Sequence, residues 1–181
     1  MYEKFGQFID GKWSPSENKE TYEVINPATE EVLGHASKAT PADVDRALKS
    51  AVKGLKVWKK TTPWNRSYIL RKIADRMREK KDVLAKWMTL ENGKPLAEGI
   101  GETNGAADIF EWNAEETKRI FGQTIESRFE DTRVHVYYQP VGVVAALSPW
   151  NFPLILAARK ISTALAAVSY THLTLPTMLW V

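Results

Sequence analysis

Apolar residues recur along this chain at three different spacings, and each change of spacing falls on a turn signal. Phe5, Phe8 and Ile9 precede Asp10-Gly11, and Trp13 follows. An Asp-Gly pair accepts the positive φ angles of a tight turn, so a β-hairpin is predicted here. Tyr22-Glu23-Val24-Ile25 forms a second short strand stopped by Asn26-Pro27, with Glu31-Val32-Leu33-Gly34 as its partner. From Thr40 the spacing changes to three and four. Thr40-Pro41-Ala42-Asp43 is a helix start, and Val44, Ala47, Leu48, Ala51, Leu55 and Trp58 mark one apolar face. Thr62-Pro63 repeats the start signal, with Ile69, Leu70, Ile73, Ala74 and Met77 on the face behind it. Val83, Leu84, Trp87 and Met88 mark a third helix, ended by Asn92-Gly93-Lys94-Pro95. A longer helix is predicted from Leu96 to about Ile120, with Gly99, Gly101 and Gly105 weakening its first half.

Arg133, Val134, His135 and Val136 alternate polar and apolar, the pattern of a half-exposed strand. Val141-Gly142-Val143-Val144-Ala145-Ala146-Leu147 is apolar on both faces, as a buried parallel strand requires. It runs into Ser148-Pro149-Trp150-Asn151-Phe152-Pro153 and then into an apolar helix that reaches Ala167. Strand, tight turn and helix open a βαβ unit, which sets the fold class as α/β. No second unit follows, so both edges of that strand are expected to be unpaired and the chain alone to aggregate or be partly molten.

Composition narrows the reading. The chain is 44% hydrophobic and 26% charged, which fits a folded domain, and its net charge of +3 neither demands nor excludes an anionic partner. With no cysteine, these residues hold no disulfide, thiolate metal site or cysteine nucleophile. The first residues show no secretory pattern. Residues 161–181 lack Asp, Glu, Lys and Arg, but Ser162, Thr163, Ser169, Thr171, His172, Thr174, Pro176 and Thr177 make them too polar for a membrane span. A cytoplasmic protein is expected. The basic residues between Lys53 and Lys81 admit a helical nucleic-acid binder as an alternative, but Asp75, Glu79 and Asp82 dilute them, and solvated helix faces are the expectation. His35, His135 and His172 are too scattered for a metal site, and Glu91, Glu98 and Glu102 read as helix-surface acids.

On pattern alone, Asn151 is an N-cap for the helix after it, Trp150 is equally a core aromatic, and Arg159 is an exposed head on a buried stem. The turn also lies beyond the carboxyl end of a parallel strand, where open α/β folds bind ligands, although no GxGxxG accompanies it. Ser148-Pro149-Trp150-Asn151-Phe152-Pro153 resembles the signature turn of the aldehyde dehydrogenase superfamily. Phe8-Ile9-Asp10-Gly11-Lys12-Trp13, Ile25-Asn26-Pro27-Ala28-Thr29 and Leu90-Glu91-Asn92-Gly93-Lys94-Pro95 extend the likeness, in order, from about Phe8 to Ala167. Met88-Thr89-Leu90-Glu91 and Glu111-Trp112-Asn113-Ala114-Glu115-Glu116 resemble its succinate-semialdehyde dehydrogenase branch.

The resemblance implies the N-terminal part of an aldehyde dehydrogenase fold: a β-hairpin, a helical layer and the start of a Rossmann-type parallel sheet. It assigns 1–167 to the cofactor-binding domain, with an oligomerisation-arm strand near 133–140. It implies NAD or NADP as cofactor, a small aldehyde as substrate and a homodimeric or homotetrameric parent. Asn151 would be the oxyanion donor. Leu147, Ser148, Pro149 and Trp150, with Asn151 itself, would line the cofactor site, and Arg159 would bind the free carboxylate of succinic semialdehyde. The family's nucleophilic Cys and catalytic Glu are missing, so these residues alone are expected to be inactive. From Val168 the family pattern of Gly, apolar strand and Lys-Pro is lost. Val168-Ser169-Tyr170-Thr171-His172-Leu173-Thr174-Leu175-Pro176-Thr177 resembles a translated sequencing adapter, so 168–181 is expected to be a non-native tail. A naturally truncated subunit that pairs with a full-length homologue is the other reading.

Overall fold

The computed structural model describes residues 6–168 and the backbone of residues 170–172. Phe5 of the predicted hairpin lies outside them. β1 (Gln7–Ile9) and β2 (Lys12–Ser14) pair antiparallel through Asp10 and Gly11, whose φ angles of 54° and 75° make the left-handed turn the sequence predicts. β3 (Thr21–Ile25) and β4 (Val32–Ser37) form a second antiparallel pair.

Four helices follow: α1 (Pro41–Trp58), α2 (Pro63–Glu79), α3 (Lys81–Asn92) and α4 (Leu96–Glu116), the last running into a 3-10 turn at Thr117–Arg119. Thr40 and Asp43 cap α1 reciprocally. The Thr40 hydroxyl accepts the Asp43 N–H at 3.3 Å, and the Asp43 carboxylate accepts the Thr40 N–H at 2.9 Å. Asp43 also accepts from the Glu17 N–H at 3.2 Å and the Gln7 amide at 3.3 Å, so one buried carboxylate ties the strand region to the helical layer. Burial pushes this carboxyl up, but those hydrogen bonds outweigh burial and hold it down at about 2.

The core is assembled from small residues. Leu70 and Ala74 of α2 pack with Ala106, Ala107, Phe110 and Ala114 of α4. Gly99 is part of this packing. A Cβ there would lie 3.0 Å from the Ala85 carbonyl oxygen, so the glycine that weakens the helix by propensity lets α3 and α4 approach. The basic residues of α2 face the acids of α4: Arg71 pairs with Glu111 and Glu115, and Arg78 with Asp108 and Glu111. The hydrogen bonds that Arg78 donates to Asp108 and Glu111 raise its pKa. The apolar face predicted for α1 is only half covered: Ala47 and Ala51 are buried, while Val44 and Leu48 are exposed.

β5 (Gln123–Glu126) and β6 (Arg133–Val136) form an exposed antiparallel hairpin. The sequence predicts β6; β5 lacks a distinct apolar pattern. β7 (Val143–Ala145) then leads through the signature turn into α5 (Ile155–Ala166). Two expectations fail here. The strand predicted as buried on both faces is short, with Val141 and Leu147 exposed, because α1 packs against it without enclosing it. Nor is it unpaired: β8 (Tyr170–His172) lies parallel to it, Val143 opposite Tyr170, completing a βαβ unit. An open strand edge offers backbone groups that an extended segment can satisfy whatever its side chains. Val168, between α5 and β8, has a φ of 66°, a region disfavoured for a β-branched residue.

Candidate functional site

The turn between β7 and α5 is held by its backbone, and the side chains of Pro149, Trp150, Asn151 and Phe152 are left exposed. Asn92 and Lys94 flank Gly93, which ends α3 in the left-handed conformation at φ 78°. That turn aims both side chains at successive carbonyls. The Asn92 amide donates to the Trp150 oxygen at 3.1 Å, and the Lys94 ammonium donates to the Asn151 oxygen at 3.2 Å. Glu102, one residue before Thr103 on the buried face of α4, completes the arrangement. Its Oε1 accepts the Leu154 N–H at 2.9 Å and the Ile155 N–H at 3.1 Å, and its Oε2 pairs with Lys94. Lys94 also lies 4.4 Å from the centre of the Phe152 ring.

Two sequence expectations are corrected by this geometry. Glu102 is not a surface acid: it is 5% exposed, and its partner Lys94 is 8% exposed. A buried carboxylate is tolerated because an ammonium and two helix N–H groups satisfy it. Nor is Asn151 the N-cap of α5. Leu154 occupies that position with no side-chain cap, and Glu102 supplies the acceptor from another helix. Asn151 is exposed, and its side-chain amide makes no hydrogen bond among the described residues.

The neighbouring candidates vary in setting. Leu147, Pro149 and Trp150 are exposed, so Trp150 is not a core aromatic here. Ser148 Oγ is shielded from solvent with no hydrogen-bond partner among the described residues. Arg159 stands on the first turns of α5, exposed, beside an open depression that it shares with Val144, Ala145, Lys160, Thr163 and Ala167. No residue of the signature turn lines that depression, so the structure does not bring Arg159 and Asn151 into one pocket. Sequence reasoning missed Lys94 and Glu102 as parts of the site. The available signal was an ionisable residue in the glycine-containing stretch 99–105, where close helix packing leaves little room for an unpaired charge.

Comparison with known proteins agrees with this architecture. The aldehyde dehydrogenase family profile matches residues 13–171. The chain is 47% identical over 160 residues to a glutarate-semialdehyde dehydrogenase of Pseudomonas putida, covering 88% of this chain and 33% of that protein. It is 45% identical over 159 residues to the NADP(+) succinate-semialdehyde dehydrogenase of Escherichia coli, with the same coverage of each. The succinate-semialdehyde dehydrogenase structure from Burkholderia pseudomallei superposes with a TM-score of 0.90 at 40% identity, over 92% of this chain and 35% of that one. The chain thus spans about a third of the length of the curated relatives it matches. With the signature turn, the helical layer and the βαβ opening all in place, the chain belongs to the aldehyde dehydrogenase family.

Proposed function

We propose that the protein carrying this chain oxidises a small aldehyde to a carboxylic acid with NAD(P)+, and that succinic semialdehyde is its substrate. The observation that carries the reading is the freedom of the Asn151 amide. It is exposed, unused in capping, and mounted on a turn whose backbone is fixed on both sides. Nucleophilic attack on an aldehyde generates an alkoxide, and a neutral amide N–H stabilises that charge without adding one. An aspartate there would repel it. The nucleophile and the base that activates water come from outside these 181 residues, which contain no cysteine, so this chain alone is inactive.

The residues fit a nicotinamide cofactor. The turn stands at the carboxyl end of β7 and offers exposed Leu147, Pro149 and Trp150 beside the Ser148 hydroxyl, which has no hydrogen-bond partner among the described residues. When bound, the cofactor accepts hydride; the role of this turn is to hold its nicotinamide side next to Asn151. Relatives named for NADP(+), and a solved neighbour holding NAD+, support this assignment. The domain reading follows: 1–167 forms part of the cofactor domain, the β5–β6 hairpin serves as an oligomerisation arm in a homodimer or homotetramer, and 168–181 is foreign. The parent works in the cytoplasm; among the described residues no helix is long and apolar enough to cross a membrane.

Arg159 binds the substrate's remote carboxylate, for which its planar fork is suited. Among the described residues its guanidinium has no carboxylate partner, which leaves it available. The test is Arg159→Met in the full-length protein. KM for succinic semialdehyde is expected to rise at least about tenfold more than KM for an uncharged aldehyde of similar size. An equal rise for both contradicts the assignment.

A further inference from the structure

We propose that Asn92, Lys94 and Glu102 are positioning residues that set the oxyanion geometry by holding the backbone of the Asn151 turn. This rests on the reading of Asn151 given above. The three side chains reach four backbone groups around that residue, two on residues 150 and 151 and two on residues 154 and 155, without touching its amide. Asn92 takes the Trp150 carbonyl, Lys94 takes the Asn151 carbonyl, and Glu102 takes the Leu154 and Ile155 N–H groups. The Lys94–Glu102 ion pair links the two halves of this clamp, so a shift in either is transmitted to the other.

The surroundings make the clamp rigid. Both charged groups are buried, side chains 7% and 1% exposed, where an ion pair resists opening because each partner alone would be uncompensated. Phe152 covers the ammonium. Gly93 sets the direction of both donors. A Cβ there would lie 3.0 Å from the Pro27 ring at a φ of 78°, so the turn is fixed by strand-region packing as well as by its own conformation. A displacement of about 1 Å in a catalytic donor is enough to cost on the order of a hundredfold in rate, which gives such anchoring a measurable consequence.

The test uses the full-length protein that carries this chain, with Lys94→Met, Glu102→Gln and the double variant. Three readouts are taken: hydrogen exchange of the peptide spanning residues 147–158, the thermal midpoint, and kcat with saturating cofactor. Each single variant leaves a buried charge unpaired. It is expected to speed exchange at Leu154 and Ile155 about tenfold or more, lower the midpoint, and lower kcat about tenfold or more. In the double variant Gln still accepts the two N–H groups and no charge is stranded. Midpoint and exchange are expected to recover while kcat stays down about tenfold, because the Asn151 carbonyl has lost its ammonium. Recovery of kcat together with stability overturns the proposal and leaves a purely structural ion pair. Single variants with unchanged kcat and exchange also overturn it. A wild-type protein with no dehydrogenase activity overturns the functional reading instead, while the exchange data still decide whether the clamp exists.

Discussion

The indole N–H of Trp58, at the end of α1, donates to the carbonyl oxygen of Leu165 in the last turn of α5 at 2.9 Å, bridging 107 positions of sequence. That carbonyl lies at the helix end, where it also accepts the Val168 N–H at 3.2 Å. The indole bond therefore joins the helical layer to the βαβ unit through the second acceptor site of that oxygen.

Trp58→Phe keeps most of the ring and removes the donor. Stability is expected to fall by about 1 kcal/mol in urea unfolding, because one hydrogen bond between the helical layer and the βαβ unit is lost. No change in midpoint would show that solvent replaces the indole.

Asp43 gives the fold a defined acid sensitivity. Its folded pKa of about 2 is below the ordinary value of 3.8, so the unfolded chain binds this proton more readily than the folded one. Its contribution is present in full above pH 4 and is lost as pH falls towards 2. Asp43→Asn is expected to be less stable than wild type at neutral pH, and the gap should narrow across that window. A constant gap would assign the acid sensitivity elsewhere.

Val168 is a third test, because a β-branched residue stands there at a φ of 66°. Such backbone strain costs on the order of 1–3 kcal/mol in a non-glycine residue. Val168→Gly is expected to stabilise the protein by about 1 kcal/mol in equilibrium unfolding. A destabilising effect would mean that the valine side chain contributes packing that outweighs the strain.

The elements that announce themselves locally were legible. Asp10-Gly11, Thr40-Pro41 and Thr62-Pro63 act through their own backbone preferences, and hairpin and helix starts fall where those residues place them. The signature turn was legible from the identity of its residues, but its support was not. Glu102 serves a helix that begins 53 residues later, and nothing near it in sequence announces that partner. Gly99 misled for a related reason: propensity counts the missing side chain as a loss, while packing against Ala85 uses the space it leaves. The side-chain pattern of residues 170–172 does not announce the pairing of β7 with β8, because strand pairing is a property of the backbone.

The most direct test of the functional reading is Asn151→Ala in the full-length protein, following reduced nicotinamide formation with saturating NAD(P)+ and succinic semialdehyde. The Asn151 amide makes no structural hydrogen bond among the described residues, so the thermal midpoint should stay at the wild-type value. Loss of one oxyanion donor is expected to lower kcat about a hundred- to a thousandfold. A kcat within a few-fold of wild type, in a variant that is equally stable, would contradict the role assigned to this turn.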